Sequence, residues 1–118
     1  MKVAIIGTRT FSNYTLLESK VLEILSGGVQ SMCTEIVSGG APGTDQLAAQ
    51  FATAHTIPIK IFPADWATFG KSAGPRRNKE IVDYADIIIA FWDGQSPGTR
   101  NTIQLARTSG KPVTIVSI

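Results

Sequence analysis

The chain is poor in the residues that mark several common protein classes. Its 118 residues include one cysteine, Cys33, and one histidine, His55. A single thiol excludes an internal disulfide and a thiolate cluster for zinc, and it fits a reducing compartment. One imidazole leaves no basis for a histidine-built metal site, so His55, at the end of a helical stretch, reads as a structural or surface residue. No metal and no cofactor are expected. No apolar run approaches the length of a membrane span, and Met1 and Lys2 lead directly into the strand-like Val3-Ala4-Ile5-Ile6 without the h-region of a signal peptide. The expectation is a cytoplasmic protein with no membrane partner. An excess of one charge is also missing: 11 Lys and Arg stand against 9 Asp and Glu, a formal net charge of +2. That argues against general duplex binding, which follows a large positive excess, and leaves room for a local basic site.

What is present is the balance of a packed globule, with 43% hydrophobic and 17% charged residues. The length is that of one ordinary domain, so residues 1–118 are expected to form a single unit. Five short apolar runs recur: Val3 to Ile6, Glu35 to Val37, Pro58 to Phe62, Asp86 to Trp92 and Pro112 to Ile118. Most read as buried strands. Helical spacing separates them, with Leu17, Val21 and Leu25 in the first segment and Leu47, Phe51 and Ala54 in the second. Further helices are predicted over Pro75 to Ala85 and Gly98 to Ser109. Continuous apolar strands need cover on both faces, which crossover helices supply. The expected fold is an α/β, three-layer, five-stranded parallel sheet of order 3-2-1-4-5. Right-handed crossovers then put every strand-to-helix loop on one edge, with a crevice where the winding reverses between strands 1 and 4.

Those loops are Gly7-Thr8-Arg9, Ser38 to Asp45, Pro63 to Asn78 and Asp93 to Thr99, and they hold most of the glycine and the unusual polar residues. In Ser38-Gly39-Gly40-Ala41-Pro42-Gly43-Thr44-Asp45 the glycines let backbone approach a ligand, and the helix that follows offers N–H groups and a dipole to an anion. Asp93-Gly94-Gln95-Ser96-Pro97-Gly98-Thr99 repeats the design after the fourth strand. Either loop alone can equally be a tight, well-capped turn; the pair together favours two helix starts converging on one ligand. Neither has the G-x-G-x-x-G spacing of a dinucleotide fingerprint. The tripeptide Gly70-Lys71-Ser72 is an incomplete Walker A, with Asp65 where glycine is needed and with Gly74 and Pro75 delaying the next helix.

Lys71, Arg76, Arg77 and Lys79 flank the start of the third predicted helix, where cations are unfavourable unless an anion accompanies them. A bound phosphate would resolve the conflict; a solvated basic face is the simpler reading. Trp66 and Trp92 end strands or begin loops, where an indole stacks on a base or plugs the sheet edge, core packing being favoured for Trp92. Asp45 and Asp93 are the carboxylates best placed to bind ribose hydroxyls or steer a water. Each also has a plain structural use, Asp45 in the first turn of a helix and Asp93 before Gly94 in a turn.

The segments Ile36 to Asp45, Pro63-Ala64-Asp65-Trp66, Gly70-Lys71, Ala73-Gly74-Pro75 with Arg77-Asn78, and Ala90 to Gly94 with Ser96 and Gly98-Thr99 resemble the YspA-type, YpsA-related branch of the SLOG superfamily. The likeness runs in order from about Ile5 to Val116. It implies a Rossmann-like domain, bacterial or phage-borne, that recognises nucleotides or nucleotide-derived signals. The chain is more distantly similar to the LONELY GUY phosphoribohydrolases, which cut the N-glycosidic bond of nucleoside monophosphates. Arg77 is similar to their arginine and Gly98-Thr99 to their G-T-x-x-E segment, but Thr102 stands where the catalytic glutamate belongs. Ser38 to Asp45 also resembles the S-G-x-A-x-G-x-D segment of DNA-processing protein A, which binds single-stranded DNA. A third related group comprises sensor domains of anti-phage systems.

The resulting expectation is a binding module for a nucleotide or nucleotide-derived small molecule, used as a sensor or to sequester the signal. The candidate ligand-binding set comprises Gly7, Thr8 and Arg9; Ser38, Gly39, Gly40, Gly43, Thr44 and Asp45; Trp66, Lys71, Arg77 and Asn78; and Asp93, Ser96, Gly98 and Thr99. Phosphates would sit on the two glycine loops beside Arg77 and Lys71, a ribose on Asp93 or Asp45, and a base under Trp66. Enzyme activity stays open: as an N-glycosidic hydrolase the chain would use Arg77 with Asp45 or Asp93. Single-stranded DNA binding is the second alternative, ranked lower, and a homodimer is left open.

Overall fold

Two strands with four consecutive buried residues each form the centre, and the rest of the fold is arranged around them. In the computed structural model, which describes residues 1–26 and 33–118, β1 (Lys2–Gly7) and β4 (Ile87–Trp92) lie side by side at the centre of the sheet. Their side chains alternate between faces. Val3, Ile5, Ile89 and Phe91 enter one core, and Ala4, Ile6, Ile88 and Ala90 enter the other. The first core is closed by α1 (Tyr14–Leu25) and α2 (Thr44–Ala54), through Leu17, Val21 and Leu25 and through Ala48, Phe51 and Ala52. The second is closed by α4 (Ala73–Tyr84) and α5 (Pro97–Thr108), through Ile81 and Val82 and through Ile103 and Ala106.

The remaining strands, β2 (Glu35–Ser38), β3 (Ile59–Ile61) and β5 (Val113–Ser117), complete a parallel sheet of order β3-β2-β1-β4-β5. This is the α/β Rossmann-like fold with the expected strand order. The outer strands β3 and β5 are only half-buried or exposed, since each lacks a neighbour on one side and reaches past its covering helices.

Two expectations are corrected. The helix placed over Pro75 to Ala85 begins at Ala73, with Gly74 and Pro75 inside its first turn. A proline there forfeits nothing, because the first N–H groups of a helix have no intrahelical acceptor. The stretch Pro63 to Asn78 is also folded rather than a long loop. It holds α3 (Trp66–Phe69), capped by the Asp65 carboxylate accepting from Thr68 N–H at 3.1 Å, and a 3-10 turn over Gly70–Ser72. Among the described residues no helix is long and apolar enough to cross a membrane.

Candidate functional site

The crevice at the carboxyl ends of β1 and β4 is organised by Thr8. Its N–H donates to Phe91 O at 2.9 Å, which continues the β1–β4 pairing one step beyond the sheet. Its hydroxyl accepts from Asp93 N–H at 3.2 Å and lies 3.1 Å from the Ser96 hydroxyl, and its carbonyl accepts from the Thr44 hydroxyl at 2.8 Å and from Thr44 N–H at 3.3 Å. One buried residue thus joins the loops after β1, β2 and β4. Gly7 beside it has no room for a side chain, because a Cβ there would collide with Phe91 O.

The loop after β2 is filled by protein. Gly43 adopts φ +77°, and a Cβ at that position would run into the backbone of Arg9. The Ser38 hydroxyl accepts from Gly40 N–H and donates to Asp45 O, both at 3.3 Å. The anion at the start of α2 is the protein's own: Asp45 Oδ2 accepts from Ala41 N–H at 3.1 Å. Asp45 is 7% exposed, and its Oδ1 is buried with no hydrogen-bond partner among the described residues. Burial pushes its pKa up to about 6, with Ala41 N–H and the Arg77 and Arg9 guanidinium groups holding it back.

Arg77 crosses this loop from α4. Its Nη1 donates to Gly39 O at 2.7 Å and more weakly to Phe62 O at 3.5 Å, and its Nε donates to Asn78 Oδ1 at 3.0 Å. Gly39 is the spacer between charges, since a Cβ there would overlap the guanidinium and lie 2.9 Å from Asp45 Oδ2. Asn78, buried, donates in turn to Asn101 Oδ1 at 3.0 Å and Gly98 O at 3.3 Å, fixing α4 against the start of α5.

The loop after β4 is built differently. Asp93 turns back on its own loop, with Oδ1 accepting from Gln95 and Ser96 N–H at 2.9 and 2.8 Å, and those two donors hold its pKa below the ordinary value. Pro97 opens α5. The next two N–H groups, of Gly98 and Thr99, find no acceptor among the described residues, and a Cβ on Gly98 would meet no protein atom within 4 Å.

The opposite wall comes from α3 and α4. Trp66, 52% exposed, lies over Gly74, with its ring edge 3.2 Å from where a Cβ would be. The basic cluster divides. Arg76 stacks on Phe69 and donates to the Ser72 hydroxyl, Lys79 pairs with Asp83 at 2.8 Å, and Lys71 is exposed. Only Arg77 turns inward.

Between these walls lies a cavity of about 550 Å³. Of the residues singled out in the sequence it is lined by Gly7, Thr8, Arg9 and Asp45 on one side and by Trp66, Arg77 and Asn78 on another. Ser96, Gly98 and Thr99 complete the set. Ser38, Gly39, Gly43 and Thr44 are not part of this lining, and Gly40, Lys71 and Asp93 are exposed outside it. The lining also takes in Ile6, Thr10, Ala41, Gly74, Pro75, Ile81, Pro97, Asn101 and Thr102. Helical period would have flagged several, because Ile81 follows Asn78 by one turn, and Asn101 and Thr102 follow Gly98. Trp92 packs against the second core and donates from Nε1 to Ser96 O at 3.2 Å. His55 is remote from the cavity: its ring packs on Phe51 and its Nε2 lies 2.9 Å from Glu18 Oε2. Among the described residues no three of His, Cys, Asp and Glu cluster as a metal would require.

The model of the YspA, cpYpsA-related SLOG family matches residues 1–69. The chain belongs to that family. The match covers β1, the keystone Thr8, the filled glycine loop and Trp66, while α4 and the open turn before α5 lie beyond it. This SLOG chain is also 32% identical to the Gene 61 protein of Mycobacterium phage D29, over 95% of its own length and 93% of the phage protein. Two solved structures share its fold. DNA processing protein A of Helicobacter pylori, described with a single-stranded DNA binding mode, has 21% identity and a TM-score of 0.70 over 98% of this chain. DNA processing protein A of Streptococcus pneumoniae has 22% identity and a TM-score of 0.73 over 97%. The SLOG chain spans 64% and 49% of those two proteins.

Proposed function

We propose that the cavity binds a phosphate-bearing nucleotide or a signal derived from one, and that residues 1–118 act as a single cytoplasmic sensing or sequestering domain, alone or as a homodimer. The observation that carries this reading is the first turn of α5, where the Gly98 and Thr99 N–H groups have no acceptor among the described residues and both residues line a cavity of about 550 Å³. Unpaired N–H groups at a helix start attract an anion, and the volume is in the range of small-molecule sites. The phosphate sits there, beside the Ser96 and Thr99 hydroxyls. Trp66 offers a face to the base, and Arg9 lies at the rim. The charges of Arg77 and Asp45 offset each other across Gly39 in the far corner, so the phosphate is drawn to α5 rather than to Arg77.

Calorimetric titration with the four nucleoside 5′-monophosphates and with the matching nucleosides tests this. The expected result is a preference of roughly tenfold or more for the phosphorylated member, the loss of charge-assisted hydrogen bonds accounting for the difference. Equal affinities, or no binding by any monophosphate, would refute it.

A second reading is single-stranded DNA binding, favoured by one observation: the exposed Trp66 is accompanied by the exposed cations Arg9, Lys71 and Arg76. A stacking platform in a basic setting suits a strand, and the relative from Helicobacter pylori is described as binding single-stranded DNA. Affinity for an oligothymidylate that falls steeply with salt would support it. Hydrolysis of an N-glycosidic bond has one supporting feature, the Asp45 carboxyl titrating near neutrality as an acid–base group must. Release of free base from a nucleoside monophosphate is its test.

A further inference from the structure

The corner of the cavity formed by Asp45 and Arg77 sets a buried acceptor with no donor near a guanidinium nitrogen with no protein acceptor. Asp45 Oδ1 is a buried acceptor without a donor. Arg77 spends Nε on Asn78 and Nη1 on Gly39 and Phe62, which leaves Nη2 a donor without an acceptor among the described residues. The two side chains do not satisfy each other: no ion pair joins them within 4 Å, and Gly39 stands between. Both line the cavity.

The chemistry of the occupant follows. A bare anion is opposed by the Asp45 carboxylate, and a bare cation by Arg77 and by Arg9. An apolar group leaves Oδ1 unsatisfied, which is costly for a buried charged oxygen. A hydroxyl both donates and accepts from a single atom, and a pair of hydroxyls on neighbouring carbons serves both side chains at once. We propose that the Asp45–Arg77 corner takes the 2′,3′-diol of a ribose, so that the cavity selects ribonucleotides over deoxyribonucleotides. This rests on the nucleotide reading given above and adds the class of sugar to it.

The test compares each nucleoside 5′-monophosphate with its 2′-deoxy and 3′-deoxy counterparts on the unmodified protein. Loss of a hydrogen bond to a charged group gives an expected preference of roughly tenfold or more for the ribose form. In Asp45→Asn the amide oxygen still accepts from Ala41 N–H, but an NH2 replaces the orphan acceptor. The preference should then fall below about threefold, because the acceptor that distinguishes the two sugars is gone. If the ribose and deoxy forms bind the unmodified protein equally, the sugar selectivity is wrong and the nucleotide site stands. If none of them binds, the nucleotide reading itself fails, and this inference with it. A preference that survives intact in a folded Asp45→Asn protein would assign the diol to other residues.

Discussion

The two glycine loops on the ligand edge of the sheet are alike in composition and opposite in construction. Each leaves a parallel strand, carries Gly, Pro, Thr and Asp, and opens a helix on the same edge. After β2, the backbone is closed around protein: Gly43 lets Arg9 come near, Thr8 O occupies Thr44 N–H, and Asp45 folds back onto Ala41 N–H. After β4, Asp93 closes only the turn, and the N–H groups of Gly98 and Thr99 have no acceptor among the described residues. Glycine permits close approach in both loops. In the first the approaching group is already in the molecule, and in the second no protein atom lies within 4 Å of a Cβ on Gly94 or Gly98. On the nucleotide reading proposed above, the first loop supports the site and the second is the part of it left for a ligand.

The comparison breaks most visibly at Gly43. In Gly43→Val the Cβ meets the Arg9 backbone and a β-branched residue is forced to φ +77°. Left-handed strain of about 1–2 kcal/mol and overpacking of about 1–3 kcal/mol predict a loss of roughly 2–5 kcal/mol by urea unfolding. A stability change under about 1 kcal/mol would show the first loop to be as open as the second.

Asp45 gives the next largest effect, and its sign is set by burial. Its pKa is about 6 in the folded protein against 3.8 for the free side chain, so the folded state holds the proton more tightly than the unfolded one. The contribution to stability is complete below about pH 3.8, is lost as pH rises toward 6, and is flat above that. Between pH 5 and pH 8 the unmodified protein should lose roughly 1–2 kcal/mol relative to Asp45→Asn. Parallel stability curves for the two proteins would mean that the carboxyl is not held away from water. A ligand hydroxyl on Oδ1 favours the ionised form, so its presence should narrow the gap at pH 8.

Gly98 tests the open loop. A Cβ at this position has no neighbour within 4 Å, so unfolding free energy should stay within about 1 kcal/mol of the parent. The added side chain occupies the space in front of the free N–H groups, and affinity for a nucleoside monophosphate should drop roughly tenfold, about 1.4 kcal/mol. Gly43→Val and Gly98→Val thus separate fold from site with the same chemical change. If both lose stability alike, the contrast between the loops is mistaken.

The sequence carries the sheet well and the site in part, for physical reasons that differ. The strand order was legible because continuous apolar runs demand two covered faces, and right-handed crossovers leave few ways to supply them. The turn α3 was not, since four residues are too few for a helical period, although Asp65 three positions before Thr68 was a usable capping signal. Pro75 misled because a proline reads as a breaker unless it is known to lie in a first turn. For the site, the choice of loops was legible from glycine and from helix starts. Which N–H groups stay free was not, because their competitor Thr8 is 36 residues from Thr44. The same holds for the basic cluster, where only the fold distinguishes Arg77, turned inward over Gly39, from Lys79, held by Asp83.

The smallest expected effect is at Lys71, and it discriminates between ligands rather than between loops. Lys71 is exposed, lies outside the cavity lining and makes no ion pair among the described residues. If the site takes a single nucleotide on the α5 turn, Lys71→Ala should change monophosphate affinity by less than about twofold, as screening across solvent weakens a distant charge. If a DNA strand instead runs from Trp66 across the outer face of α4, the lysine contacts a phosphate. The variant should then bind an oligothymidylate more weakly at low salt, and the slope of log affinity against log salt should become shallower by about 0.7. A changed slope with unchanged monophosphate binding would place a strand on the outside of the same wall that the cavity uses from within, and the two glycine loops would then serve a terminal nucleotide of that strand.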